Sequence, residues 1–534
     1  MFRRRSLIAI VALAAILHVG GIRRSILPAQ DGLKFLRVAR VFQSGDWLDA
    51  IRNSDQHPLY PALVALTEPV IRVVHGRNPD TWRIAAQVVA AFASVLLLIP
   101  LHGLAKVLFD ERVANLAALG YVLLPLPMTI GHDTLSDSLA LCAFLVSLRL
   151  GYGALTSPRW DLALGCGLAA GFGFLARPEV LVAPMAVGLT GIVLLLRRAE
   201  SPRNLVLTPR LAGLAIVFLA VVGSYALVKG EVSEKLALRQ AAAIGPAAKT
   251  IRLKKQWLPP GLDDPRWDFS PKEERARPVR RTVGEVLEEL ALQWATNLGA
   301  ILAFFAIWGI VRDGFVRKMV ADGGETPDAE NVGRWLVAMY LIPFTLVLAR
   351  HELRMGYLSD RHTLTLVALA LPWAAAGVFV CALRLAGKLA LRPRTARIAG
   401  VVLLVLAVAT GVRLQSKTAH PSRWGHREAG NWLARNAAPG EAVLDTRGWA
   451  TFISGGPSYD YWHVRQAFTD SHLAYVVVGS EEILAPSRRA ETLRAVLAYA
   501  GRPVAGFPAR KGGHDVGVRI YRLEHPESWE GLIE

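Results

Sequence analysis

The sequence predicts a polytopic α-helical membrane protein, with about eleven transmembrane helices and a small C-terminal α/β domain. Three observations predict it. Of 534 residues, 53% are hydrophobic and only 19% charged, with a mean hydropathy of +0.34. Apolar runs of about 20 residues, enough to cross a bilayer as a helix, recur through the first 414 positions. Beyond residue 415 the apolar runs shorten to strand length and alternate with charged helical stretches. This composition excludes a disordered chain, a fibrous repeat and an ordinary cytosolic enzyme. Lys and Arg exceed Asp and Glu by 18. In a membrane protein such an excess first speaks of topology and anionic headgroups, and only then of nucleic acid. Cys142, Cys166 and Cys381 all lie in apolar runs. They form no CxxC or Cys/His cluster, so neither an external disulfide nor a Cys-based metal site is expected.

Spans are expected near 6–22, 81–105, 113–130, 138–155, 162–176, 180–196, 211–228, 291–311, 335–349, 363–383 and 398–414, because only a self-satisfied helical backbone crosses lipid in such a sequence. The segments 162–176 and 180–196 are short and read as a helical hairpin that only just crosses. The segment 57–76 is apolar, but Pro58, Pro61 and Pro69 interrupt it and Arg72 lies within it. It reads as an interfacial helix. The first span follows Arg3, Arg4 and Arg5 and lacks a convincing cleavage site, so it reads as an uncleaved anchor. Basic loops at 197–210 and 384–397 fall on the same side as the N-terminus, which is therefore expected to be cytoplasmic. An odd number of spans puts the C-terminus outside. The chain thus divides into a membrane part, 1–414, with external loops 23–80 and 229–290, and an extracytoplasmic domain, 415–534.

Loop 229–290 carries Trp257-Leu258-Pro259-Pro260 and Arg266-Trp267 and reads as a surface segment at the external mouth. In the tail, 427–436 reads as a helix stopped by Pro439-Gly440. Ala442-Val443-Leu444, Ala474 to Val478 and Val516 to Tyr521 read as strands, with a helix at 488–500.

Ionisable groups at the membrane face are costly unless they have partners or work. With this topology one external face collects Asp31, the stretch His57-Pro58-Leu59-Tyr60-Pro61, the turn His132-Asp133-Thr134-Leu135-Ser136-Asp137, Arg177-Pro178-Glu179, Arg350-His351-Glu352-Leu353-Arg354, and Asp360-Arg361-His362. Each has a bland alternative. Asp31 could be solvated and His57 merely interfacial. Asp133 and Asp137, four apart and so on one helix face, could cap a span. Arg177 could snorkel, and Arg354, Arg361 and His362 could bind anionic lipid. The joint pattern of carboxylates and cations on one face points instead to a phosphorylated substrate. Other motifs are weak. Gly167-Leu168-Ala169-Ala170-Gly171 reads as close helix packing. There is no P-loop, and His351-Glu352 lacks the second His of a zinc protease. Basic patches without interleaved aromatics argue against nucleic acid.

The order of these pieces resembles the integral-membrane GT-C glycosyltransferases, the superfamily of bacterial lipid A and cell-wall sugar transferases and of protein O-mannosyltransferases. The resemblance covers roughly residues 1–415. It implies that Asp31 sits at the reaction centre and that the His57 stretch is the donor-phosphate element. Arg361-His362 is similar to the family's Arg-Tyr at the start of a late span. Relatives often carry an acidic pair where this chain has Asp31-Gly32. Metal dependence therefore stays open: one carboxylate plus Asp133 or Asp137, read as substrate or metal ligands, is compatible with a divalent cation or with none. The implied donor is a polyprenyl-phosphate-linked sugar, with a lipid, polysaccharide or protein acceptor, in a bacterial cytoplasmic membrane. Asp31 would take the acceptor proton, while His57, Arg177, Arg361 and His362 offset charge on the departing phosphate. Inversion would follow from a single displacement. The competing reading is a transporter or flippase for a lipid-linked or anionic substrate. A third is a structural or regulatory subunit whose external domain binds a partner.

Overall fold

The computed structural model describes residues 2–197, 203–232, 281–313, 329–390, 392–416, 420–460, 470–485 and 500–508, together with 467, 490, 493, 494, 497, 498, 510, 511, 514, 515 and 517–524. Positions 233–280, which include most of the expected loop 229–290 and its Trp-Pro motifs, lie outside the described residues. All eleven expected spans are helical. Among the described residues eight helices are long and apolar enough to cross a membrane: Ser6–Arg24, Pro79–Leu108, Asp137–Thr156, Pro178–Arg197, Val206–Lys229, Asn331–Leu353, Asp360–Lys388 and Pro393–Gln415. The others are not straight crossings. Glu111–Leu123 and Pro125–Gly131 meet at 68°, and Val283–Leu298 and Ala300–Asp313 at 110°. Local chemistry accounts for both breaks. Leu124 is held extended by the proline that follows it, and Gly299 takes a left-handed φ of +80°. Trp160–Ala176 has only 17 residues.

Small residues let these helices approach closely. A Cβ at Gly171 would meet the Val221 side chain 2.8 Å away, and one at Gly167 would strike the Leu214 carbonyl. The GxxxG therefore packs Trp160–Ala176 onto Arg203–Lys229. The same device joins Ala300–Asp313 to Leu364–Lys388. There Gly309 abuts the Trp373 carbonyl and Gly377 the Phe305 carbonyl. The bundle interior is filled by Leu97, Leu98, Leu101, Leu104, Leu145 and Leu148 among others.

One end of the bundle is organised by its first two helices. Helix α1, Phe2–Arg24, leads through an irregular segment into α2, Gln30–Gln43. Behind α2 packs Leu59–His75, whose Tyr60 is fully buried and donates to the Ala86 carbonyl at 2.9 Å. This 17-residue helix is not among the candidate spans. It leaves Leu66, Val70, Val73 and Val74 exposed, an outward apolar surface of the kind the interfacial reading requires.

The tail folds on a five-stranded sheet of β1 Ala442–Asp445, β2 Ser458–Tyr459, β3 Leu473–Gly479, β4 Gly501–Phe507 and β5 Val518–Leu523, in the order β2-β1-β3-β5-β4. β1 runs parallel to β2 and β3, while β5 runs antiparallel to β3 and β4. Both faces are covered, which is why β1 and β3 read as continuous apolar runs. Ala442, Leu444, Val476 and Val478 face one core. Val443, Tyr475, Val477 and Ile520 face the other, under the helix Trp424–Asn436. The expected helix and the expected β1, β3 and β5 are present. Strand β4 was not expected, because its Gly-Arg-Pro-Val-Ala-Gly-Phe sequence lacks alternation. It is an edge strand, where Pro503 is tolerated. Of the expected helix 488–500, positions 490, 493, 494, 497, 498 and 500 are described, all helical.

Candidate functional site

Asp31 lies in the first turn of α2, where the helix dipole favours a carboxylate. The residue after it explains the missing acidic pair. A Cβ on Gly32 would overlap the Thr134 side chain and lie 2.8 Å from the Thr134 carbonyl. No second carboxylate fits there, so Asp31 stands alone. Its Oδ2 accepts a 2.6 Å hydrogen bond from Arg361, 330 residues away in sequence. Arg361 belongs to a short 3-10 turn, Asp360–Thr363, that opens the helix Leu364–Lys388. The helix Val283–Leu298 fixes this turn. Gln293 Nε2 donates to the Leu358 carbonyl at 2.9 Å and to Asp360 at 3.1 Å, and Asn297 donates to Thr363 Oγ1 at 2.8 Å. The Ser359 N–H donates to His362 Nδ1 at 3.2 Å, and the His362 ring lies edge-on to His351 at 4.8 Å.

Arg177 caps the C-terminal end of Trp160–Ala176, extended by the following Pro178. Its guanidinium pairs with Asp137, at the start of Asp137–Thr156, and with Glu179 at 3.3 Å. Asp137 is buried, and its Oδ2 has no hydrogen-bond partner. Arg177, Arg361 and His362 line one cleft with Asp137 and Glu179. Its empty volume, mouth included, is about 510 Å³. Apart from Tyr340 and Thr365 the rest of the lining is apolar, with Leu141, Phe144, Val180, Phe344, Leu348 and Leu364 among it, so the space combines charged groups with a hydrophobic wall. Arg361 joins this cleft to Asp31.

Two expected site residues are placed elsewhere. His57 is buried in an aromatic nest, edge-on to Phe174 at 5.3 Å and stacked on Tyr225 at 5.6 Å, and is not part of the cleft lining. Asp133 does not share a helix face with Asp137, because the helix starts only at Asp137. Its Oδ1 accepts from the backbone N–H groups of Ala29 at 3.0 Å and Thr134 at 2.8 Å. Its Oδ2 faces Arg423 at 3.3 Å and His420 at 3.7 Å. Asp133 thus ties the segment before Asp31 to the tail. Among the described residues no three His, Cys, Asp or Glu side chains converge as a metal site. Asp31, Asp133 and Asp137 are each matched by an arginine, so among the described residues these three carboxylates do not make a divalent-cation site.

The tail supplies residues that hydropathy and spacing did not flag. Arg423, Arg427, Arg447 and Trp449 reach the segment 26–30. They sit on a rigid support. The buried Asp445 carboxylate accepts from the N–H groups of Arg447 at 3.1 Å and Thr451 at 2.9 Å. Burial raises its pKa against the pull of those donors. Arg447 pairs with Glu482 at 2.6 Å. His426 lies edge-on to Trp449 at 5.0 Å, and burial pushes its pKa down to about 4.

Residues 60–225 match the profile of a family described as dolichyl-phosphate-mannose-protein mannosyltransferase. No curated protein matches the chain by sequence. Among solved structures, the chain resembles the oligosaccharyltransferase of Archaeoglobus fulgidus in complex with zinc and sulfate. That likeness has 13% identity and a TM-score of 0.58, and covers 98% of this chain and 73% of that one. It also resembles ArnT from Cupriavidus metallidurans bound to undecaprenyl phosphate, at 14% identity and a TM-score of 0.56, covering 96% of this chain and 97% of that one. The chain is a multi-pass membrane protein with the GT-C fold, and the resemblance seen in its sequence is borne out at that level.

Proposed function

We propose that the chain is a membrane glycosyltransferase that moves a sugar from a polyprenyl-phosphate donor to an acceptor hydroxyl at the extracytoplasmic face of a bacterial cytoplasmic membrane. One observation carries this reading. A lone carboxylate, Asp31, is joined through Arg361 to a cleft that sets two arginines, each paired with a carboxylate, against apolar side chains. Such a cleft suits a ligand with a phosphate at one end and hydrocarbon at the other. The undecaprenyl phosphate bound in the Cupriavidus structure and the family profile support that substrate class.

In the proposed reaction the acceptor hydroxyl attacks the anomeric carbon and gives its proton to an Asp31 carboxylate oxygen. The bond from that carbon to the phosphate oxygen breaks, and the electron pair leaves on the lipid phosphate. Arg361 and Arg177 offset the charge that develops there, and His362 lines the same cleft. A phosphate departs without a strong acid, so a second glycosidase-like carboxylate is unnecessary. One displacement inverts the anomeric centre. His57 and Asp133, each engaged elsewhere, fall outside this set.

The test incubates purified protein with a panel of radiolabelled polyprenyl-phosphate sugars and membrane extract, with and without chelator. Label is expected to move covalently to an acceptor. Asp31→Asn is expected to lower that transfer by on the order of 10²–10⁴ at unchanged protein level. Transfer retained in Asp31→Asn removes Asp31 from the mechanism. Sugar flux across reconstituted vesicles with no covalent product would replace the enzyme by a transporter.

A further inference from the structure

The segment between α1 and α2 is neither helix nor strand, so its backbone polar groups must find partners elsewhere. They find them in the tail. The Ile26 carbonyl accepts from Arg427 at 2.8 Å. The Leu27 carbonyl accepts from Arg423 at 2.9 Å. The Pro28 carbonyl accepts from the Trp449 indole N–H at 2.9 Å. The next N–H, that of Ala29, donates to Asp133 and Thr134, and Asp133 is itself the partner of Arg423. Arg447 donates to Gln30 at 3.3 Å. Five consecutive residues are thus held, four of them directly by the tail, and the sixth is Asp31.

The grip is also stiff. Arg427 is anchored by Asp80 at 2.6 Å. The Arg423 guanidinium lies 5.4 Å from the centre of the Trp449 ring. Leu33, one turn into α2, packs against Gly448, where a Cβ would stand 3.2 Å from the leucine. By contrast, the Asp31 side chain is 47% exposed, and among the described residues its one side-chain partner is the long Arg361. The position of its carboxylate is therefore set mainly by where the backbone of residues 26–31 is placed.

We infer that the tail domain is part of the reaction centre, with Arg423, Arg427 and Trp449 acting as positioning residues that fix Asp31 relative to the Arg361 cleft. The inference rests on the reading of Asp31 as the base. The tail need touch neither sugar nor lipid. It supplies hydrogen-bond donors to three successive carbonyls that have no other donor among the described residues. A general base contributes only at the right distance from its proton, and a shift of about 1 Å can cost on the order of 10² in rate.

The experiment uses the full chain in detergent. Trp449→Phe removes one donor and keeps a ring against His426 and Arg423. Arg423→Lys replaces the two guanidinium nitrogens that reach the Leu27 carbonyl and Asp133 by a single ammonium. Hydrogen exchange of the peptide containing Ala29 and Leu33 is expected to quicken in both variants, with the rest of the membrane part unchanged. Turnover with the polyprenyl-phosphate sugar panel is expected to fall about tenfold in kcat while KM for the donor holds. The inference is overturned if exchange stays at the wild-type rate. It is equally overturned if turnover is unchanged, or falls only in step with a lowered melting temperature. Asp31→Asn, run alongside, separates the two failures. An active Asp31→Asn protein sinks the role of Asp31. An inactive one beside fully active Trp449→Phe and Arg423→Lys proteins sinks only the positioning role.

Discussion

The cleft and the tail clamp are both built from arginines at the same end of the helix bundle, yet their guanidinium groups meet different partners. In the cleft, Arg361 and Arg177 pair with carboxylates and also line an open space shared with apolar side chains. In the clamp, Arg423 and Arg427 donate to the carbonyls of Leu27 and Ile26 as well as to Asp133 and Asp80. A carboxylate partner can be traded for a phosphate as substrate enters. A carbonyl cannot be released from such a donor without leaving a partly buried polar group short of a partner, which disfavours release. The cleft cations are therefore suited to exchange partners during turnover, and the clamp cations to stay fixed.

Substitutions put this contrast at risk. After the loss expected for Asp31→Asn, the largest effect should come from Arg361→Gln. Removing one donor to a developing charge costs on the order of 10²–10³ in kcat, and the Asp31 pair is lost as well. Measured kcat near wild type would show that the cleft cation does no chemistry. Gly32→Ala should come next. Its methyl cannot fit beside Thr134, so α2 must shift, and turnover is expected to fall about tenfold or more. A fully active Gly32→Ala protein would mean that the start of α2 tolerates movement, and would weaken the case for a clamp. The smallest effect concerns pH. Burial holds the His426 pKa near 4, below the ordinary 6.5, with Glu482 and Arg447 the charged groups facing it. The folded tail therefore binds fewer protons than the unfolded chain between those values. Stability present above pH 6.5 is lost as the pH falls toward 4. The tail is expected to melt at lower temperature at about pH 5 than at about pH 7, and His426→Phe should flatten that difference. Equal slopes in the two proteins would remove His426 from the support beneath Trp449.

Much of the fold was legible because it depends on local patterns. Apolar length located eleven helical segments, although the bends at Leu124 and Gly299 were not anticipated from hydropathy. Those bends hang on one proline and one glycine inside otherwise uniform runs. In the tail, β3 was visible as an unbroken apolar run. β4 was not, since an edge strand needs no alternation. The site was legible in part. Asp31, Arg177, Arg361, His362 and Asp137 stood out as charges at the ends of apolar runs; the last four line one cleft, and Asp31 is paired with its Arg361. His57 and Asp133 stood out for the same reason but were drawn into an aromatic nest and a tail contact. Arg423, Arg427 and Trp449 carried no signal, because an arginine on an amphipathic soluble helix looks like any solvated cation.

The order of residues alone dictated which segments enter lipid and which positions carry charge where charge is costly, because hydropathy and helix period act over a few turns of chain. Which charge meets which was settled only in three dimensions. Asp31 and Arg361 are 330 residues apart, and Leu27 and Arg423 are 396 apart. An ion pair or a hydrogen bond works over a few ångströms of space, and that distance is set by how helices cross and where a domain docks.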